Sequence, residues 1–205
     1  MKKLLTLLLV AGFGITASAQ EKNSLELGLH AGFNLATVST SSQTNSDYRN
    51  GFNLTAVGDY FFSDRWSIKA KIGYDQKGWD SGYITNLDNG QSFVTDYRIN
   101  YLTIPVMANW HFGKKRNWYL NFGPYFGILL NANETKFNTD LKNFIHNRDI
   151  GIDLGIGVKL PVANKVKVLL ELDGQSGLTD LFKQNQGYQV RTNRSSFNAG
   201  LLFDL

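Results

Sequence analysis

Cysteine is absent from the 205 residues, so no disulfide staples this chain and its fold must be held by other means. Proline occurs only 3 times against 20 glycines, a balance that suits strands which turn, twist and pack around a narrow lumen. Neither charge sign is in strong excess: 21 basic residues stand against 17 acidic ones, which gives no sign of nucleic acid as a partner. Long apolar runs are scarce too. The run from Leu4 to Ile15 is shorter than the roughly 20 residues a spanning helix needs, and no other run of helical length follows it. Metal-ligand spacings, phosphate-binding glycine loops and basic stripes are also missing, and no cofactor is expected.

The N-terminus does carry an address. Lys2 and Lys3 precede the apolar run, and Ala17-Ser18-Ala19 is a small-residue cleavage signal, so residues 1–19 are expected to be a removed secretory peptide and residues 20–205 one domain. A single membrane-anchor helix is the weaker reading of the same stretch. Without its two lysines the remaining chain has 19 basic and 17 acidic residues, a formal charge of +2.

What replaces long apolar runs is alternation. In Trp118 to Leu130, a period of two places Trp118, Leu120, Phe122, Phe126, Ile128 and Leu130 on one face and Tyr119, Asn121, Gly123, Tyr125 and Gly127 on the other. Roughly 9 to 11 residues of tilted strand cross a hydrocarbon core, and this run slightly exceeds that. The pattern recurs from Leu25 to Leu35, Phe52 to Phe62, Trp66 to Tyr74, Leu102 to Phe112, Ile150 to Leu160, Val166 to Leu172 and Phe197 to Leu205. Short turns are expected at Ser63-Asp64-Arg65, 113–117 and 161–165, and long polar loops at about 37–50, 78–92, 131–147 and 182–193. Eight strands with short turns and long loops in strict alternation predict an all-β fold, an eight-stranded antiparallel up-and-down transmembrane β-barrel, with both termini at the periplasmic, short-turn end. A soluble lipocalin-like barrel is the competing architecture and needs its apolar face inside.

On the membrane reading, Glu26, Asp59, Lys69, Lys71, Asp75, Asp153, Lys159, Lys167, Glu171 and Asp173 all face inward. An eight-stranded barrel is just wide enough for side chains to fill, so these charges are expected to form a buried ion-pair network. A narrow ion path is the alternative, and the inward Tyr119 and Tyr125 argue against it. Trp66, Trp110 and Trp118 beside the short turns, with Tyr74 toward the loop end, are expected as interfacial aromatics. Trp79, just past the third strand, is expected as a further anchor. His30, His111 and His146 lie at different heights, and no Ser, His and acid set converges.

Four motifs carry a family likeness: GYDQKGW at 73–79, YLTIPVMANW at 101–110, NFGPYFGILL at 121–130 and ELDGQSGLTDL at 171–181. In order and spacing the chain resembles the PorT-like outer-membrane β-barrel proteins of Bacteroidetes. Gly174 and Gln175 depart from that likeness where an aromatic residue is expected, and the chain ends on Leu205, with Phe203 two residues earlier. The resemblance implies a small outer-membrane barrel in the lipid bilayer, handled by the barrel assembly machinery during biogenesis, and the want of a converging catalytic set or a lipid A acylase or deacylase motif leads to the expectation of no enzymatic activity. Two roles follow. One is a structural or binding part in the envelope, with an extracellular or envelope protein as partner of the loops, which carry Tyr48, Tyr83, Phe93, Phe137, Phe144, Phe182 and Tyr188. The other is a narrow, porin-like pore or an accessory of a secretion system.

Overall fold

In the computed structural model the described residues are 23–40, 46–85, 90–184 and 187–205. The segment expected as a signal peptide lies outside them. Eight strands follow one another: β1 (Leu25–Thr40), β2 (Arg49–Phe61), β3 (Trp66–Thr85), β4 (Ser92–Phe112), β5 (Trp118–Glu134), β6 (Arg148–Ala163), β7 (Val166–Gly177) and β8 (Val190–Asp204). Each pairs antiparallel with its neighbour in sequence, and β8 pairs with β1 to close the ring. Closure leaves no free sheet edge, as a strand-built membrane span requires. Among the described residues no helix is long and apolar enough to cross a membrane.

The period-two pattern has a physical reading in this ring. Outward positions are apolar and exposed, with Leu29 at 62%, Leu54 at 58% and Leu154 at 60%, while Lys69 and Asp59 inside are at 0%. Water would not tolerate that apolar wall, and lipid covers it. The lipocalin-like alternative is thereby overturned, because its apolar face would have to be the inner one. The start of β1 and the end of β8 meet at the short-turn rim, where the Leu205 amide donates to the Leu25 carbonyl (3.0 Å).

The strands run further than the alternation indicated. β3 continues to Thr85 and β4 begins at Ser92, so most of the stretch expected as a loop at 78–92 is a ladder rising above the apolar belt. β1, β5 and β8 extend likewise into 37–40, 131–134 and 190–193, and β6 runs on into the expected turn at 161–163. Polar residues such as Thr37 and Asn193 hid this, since strands above the membrane need no apolar face. Gly78, at φ +118, sits where a Cβ would lie 2.0 Å from the Tyr97 carbonyl oxygen, so only glycine allows β3 to pass β4 there.

Candidate functional site

The lumen is filled level by level. Near the short turns Glu26 accepts from Lys159 and from Lys167 (2.6 Å), Lys167 reaches Asp204 (2.8 Å), and Lys159 reaches Asp59 (2.6 Å). Above them Glu171 accepts from Lys69 (3.0 Å), Lys71 (2.5 Å), the Tyr119 hydroxyl (2.8 Å) and the Asn121 amide (2.9 Å). Asp173 takes Lys71 (3.0 Å) and Arg194 (2.5 Å), and Arg194 also lies 3.1 Å from Asp75. Asp153 accepts from Gln175 (2.9 Å). Nearest the loops Lys77 pairs with Asp149 (3.0 Å), which also accepts from Tyr125 (3.1 Å) and Thr192 (2.8 Å).

The inward charges named from the sequence are thus all buried. Lys77, Asp149, Arg49 and Arg194 join them. Arg49 fell in the stretch expected as a loop at 37–50, and Lys77, Asp149 and Arg194 fell between expected strands and loops, although carrying the alternation past Asp75 would have placed Lys77 inside. Tyr119 and Tyr125 close what remains. Lys69 lies 3.6 Å over the Tyr119 ring and Lys77 lies 4.3 Å over Tyr125. Gly157 and Gly151 make room for the two tyrosines: a Cβ at Gly157 would meet the Tyr119 hydroxyl at 2.3 Å, and one at Gly151 would meet the Tyr125 ring at 2.6 Å. A void bordered by His30, Lys71 and Asp153 holds about 10 Å³, room for about one water.

One buried set needs weighing as chemistry. Ser67 Oγ lies 3.0 Å from His111 Nε2, and Asp59 lies 4.0 Å from the same nitrogen. A nucleophile relay needs serine and acid on opposite ring nitrogens, and here His111 Nδ1 has no hydrogen-bond partner. All three side chains are sealed from solvent. The reading that no Ser, His and acid set converges is therefore corrected: the three do meet, but not in a relay. His30 lies buried elsewhere in the lumen and His146 is exposed. Among the described residues, no group of three or more metal-ligating side chains could hold an ion.

Over the filled lumen sits an apolar lid. Val38, Trp79, Tyr97, Ile99, Tyr101, Ala132, Leu141, Ile145 and Leu181 pack together, drawn from four strands and from the β5–β6 and β7–β8 loops. Trp79 is only 5% exposed, stacks on Tyr97 at 4.0 Å and meets Phe182 edge-on. The expectation that Trp79 anchors the barrel at the lipid boundary is therefore wrong. It follows Lys77 on the inward face of a strand that has not yet ended.

The lid is tied down by Glu134, which stands above the apolar belt at the end of β5. Its carboxylate accepts from the amides of Phe137 (3.0 Å) and Thr139 (2.8 Å) and from the Thr95 hydroxyl (2.7 Å). Burial pushes this carboxyl up, but the Thr139 and Phe137 amides and the Thr95 hydroxyl outweigh it and hold the pKa down at about 2.

The loop aromatics divide. Phe182 is half-buried against the lid, and Phe93 meets Phe137 edge-on at 5.3 Å. Tyr48, Tyr83, Phe137, Phe144 and Tyr188 are exposed. Between the loops a cleft of about 440 Å³ is lined by Ile84, Tyr97, Phe137, Leu141, Phe144 and Phe182. At the other rim Trp66 and Trp110 are paired across β3 and β4, and Phe112 links Trp110 to Trp118 in one aromatic row. Tyr74 stands with Phe52 at 5.7 Å on the outer wall, nearer the loops.

The family model described as "Outer membrane protein beta-barrel domain" matches residues 18–183. No curated protein matches the sequence. Among solved structures, OprG from Pseudomonas aeruginosa is similar at a TM-score of 0.57 and 8% identity, over 91% of this chain and 98% of that one. A major outer membrane protein from Thermus thermophilus is similar at 0.52 and 11%, over 88% and 99%. Neisserial surface protein A is similar at 0.51 and 16%, over 87% and 96%. Identities this low speak for the fold alone.

Proposed function

We propose, starting from the fact that this chain belongs to the outer membrane protein β-barrel domain family, that it is a sealed outer-membrane scaffold whose extracellular loop face is its working surface. The observation that carries the reading is the double closure: an ion-paired lumen with a void of about 10 Å³ beneath an apolar lid. A conducting path needs a continuous wet column, and nothing so packed offers one. The cleft edged by Phe137 and Phe144 is the natural seat for an apolar group of a partner. No enzymatic step is part of this function, because the Ser67, His111 and Asp59 set has neither relay geometry nor access to solvent.

The aromatic row at Trp66, Trp110 and Trp118 and the outer Tyr74 mark the two edges of the lipid in this reading. The motifs at 73–79, 101–110, 121–130 and 171–181 support a finer placement among PorT-like barrels of Bacteroidetes. On that placement the partner is an envelope protein of a secretion assembly, and co-purification would reveal it.

The test has two arms. In planar bilayers the purified barrel should be electrically silent, and stable step openings would overturn the sealed reading. The fluorescence of 1-N-phenylnaphthylamine should rise on binding at the loop cleft and fall back with Phe144→Ser. An unchanged signal in that variant would remove the cleft from the proposal.

A further inference from the structure

The outer wall carries a feature that sealing does not explain. Around β6, β7, β8 and β1 the lipid-facing wall is recessed at the level where Leu154 pairs with Gly174 and Gly174 pairs with Ser195. A Cβ added at Gly174 would meet nothing closer than the Arg194 carbonyl oxygen at 4.0 Å. The result is a lateral groove of about 970 Å³, walled by Phe33, Leu35, Ile152, Leu154, Leu172 and Phe197. The groove is open along its length to the lipid that surrounds the barrel.

Toward the loops the wall becomes polar in two steps. Ser176 and Asn193, the next outward pair above Gly174 and Ser195, are joined side chain to side chain at 3.0 Å, and Asn193 donates to Ser39 at 2.7 Å. Above this belt a second hollow of about 510 Å³ is lined by His146, Arg148, Ile150 and Lys183. Ile150 borders the upper hollow and Ile152 the groove. These are successive outward positions on one strand, about 7 Å apart. Asp180 also lines the upper hollow, with its carboxylate turned to the amides of Phe182 (3.3 Å) and Val190 (3.2 Å). Arg148 and Lys183 are the cations of this hollow, the Lys183 ammonium donating to the Asn143 carbonyl at 3.1 Å.

We propose that this face binds one acyl lipid of the outer leaflet with an anionic phosphate headgroup. The chain lies in the groove over Gly174, the ester region meets the Ser176–Asn193 belt, and the phosphate sits at Arg148 and Lys183. The groove, the hydrogen-bonding belt and the cation-edged hollow follow one another along this wall in the order of groups along such a lipid, with Ile150 and Leu178 exposed between belt and cations. A second barrel packed here would bury the cations unpaired. The inference rests on the membrane-barrel fold and is independent of the loop cleft.

Native mass spectrometry of the full-length protein, released from vesicles of phosphatidylglycerol mixed with phosphatidylcholine, tests it. One phosphatidylglycerol should be retained in preference to phosphatidylcholine. Gly174→Phe should lower retention of both lipids at least about tenfold, because the ring occupies the space the chain would fill. Ser195→Phe fills the same groove from β8 and replaces it if the first variant does not fold. Ala70→Phe, on the lipid face of β3, should change nothing. Arg148→Glu combined with Lys183→Glu should abolish the preference for phosphatidylglycerol while lipid is still retained. Wild-type retention in a folded groove-filling variant, or an intact preference after charge reversal, would overturn the proposal.

Discussion

Glu171 shows how a carboxylate is kept charged in a wall of lipid-bound strands. Desolvation disfavours it, and Lys69, Lys71, Tyr119 and Asn121 together satisfy both its oxygens. Such a pair adds little net stability over an apolar substitute, but removing one side leaves the other charges buried and unpaired. Glu171→Ala should therefore cost about 3–5 kcal/mol, read from urea unfolding in lipid vesicles. Combining it with Lys69→Met and Lys71→Met should recover much of the loss, because the stranded cations go with it. A triple variant as unstable as the single one would show that packing and not charge is at stake. Trp79 makes the complementary case on the apolar side. Trp79→Ala should cost about 3–5 kcal/mol, as large aromatic truncations in packed cores do, whereas an anchor at the lipid surface would cost far less.

Depth along a strand governs the next scale. Phe122 and Trp118 on β5 are almost equally exposed, at 48% and 49%, so exposed area cannot separate them. Position can: Phe122→Arg near mid-strand should cost about 2–4 kcal/mol, and Trp118→Arg near the rim about 0–1. Equal costs in reversible bilayer folding would contradict the lipid-facing assignment of β5. At the upper end of the same strand, Glu134 couples the β5–β6 loop to pH. Its folded pKa of about 2 lies below the ordinary glutamate value of 4.5. The stabilisation is then fully present above about 4.5 and is lost as pH falls from there toward about 2. The Phe137 and Thr139 amide resonances of the folded protein should stay constant from neutral pH down to about 4 and titrate with a midpoint at about 2. Glu134→Gln should abolish that titration.

At the scale of the whole molecule the barrel holds two packed layers of unlike chemistry along one axis, which the sealed reading treats as two seals. They are independent, since the lid packs on Tyr97, Ile99 and Tyr101 and the lower network closes around Glu171 and Tyr119. Neither Trp79→Ala alone nor the pair Glu171→Ala and Tyr119→Ala should give stable conductance in planar bilayers. The combination of all three should stay silent too, because the levels built on Lys77, Tyr125 and Asp149 and on Glu26, Lys159 and Asp59 remain filled. Openings from either seal's loss alone would mean that the other does not close the pore.

The strand count, antiparallel order and inside-out polarity were legible in the sequence, because a side-chain period of two and contact with lipid leave each membrane residue only two environments. The ten inward charges could be named for the same reason, residue by residue. Their pairing could not. That Lys71 meets Glu171 and Asp173, about a hundred positions away in the chain, depends on closure of β8 on β1 and on the stagger of the ring. Above the lipid the alternation loses its guide, since a strand in water shows no apolar face, and the extended β3 and β4 read as loop. The irregularity where Asn100 pairs with Asn131 and Tyr101 with Leu129 turns Ala132 and Glu134 inward against the parity of the strand below. No local residue pattern announces that shift, because a bulge is settled by the twist of paired strands. The groove over Gly174 is likewise a tertiary fact: one missing side chain becomes a site only when Leu154, Ser195 and Leu35 are brought to its level by neighbouring strands.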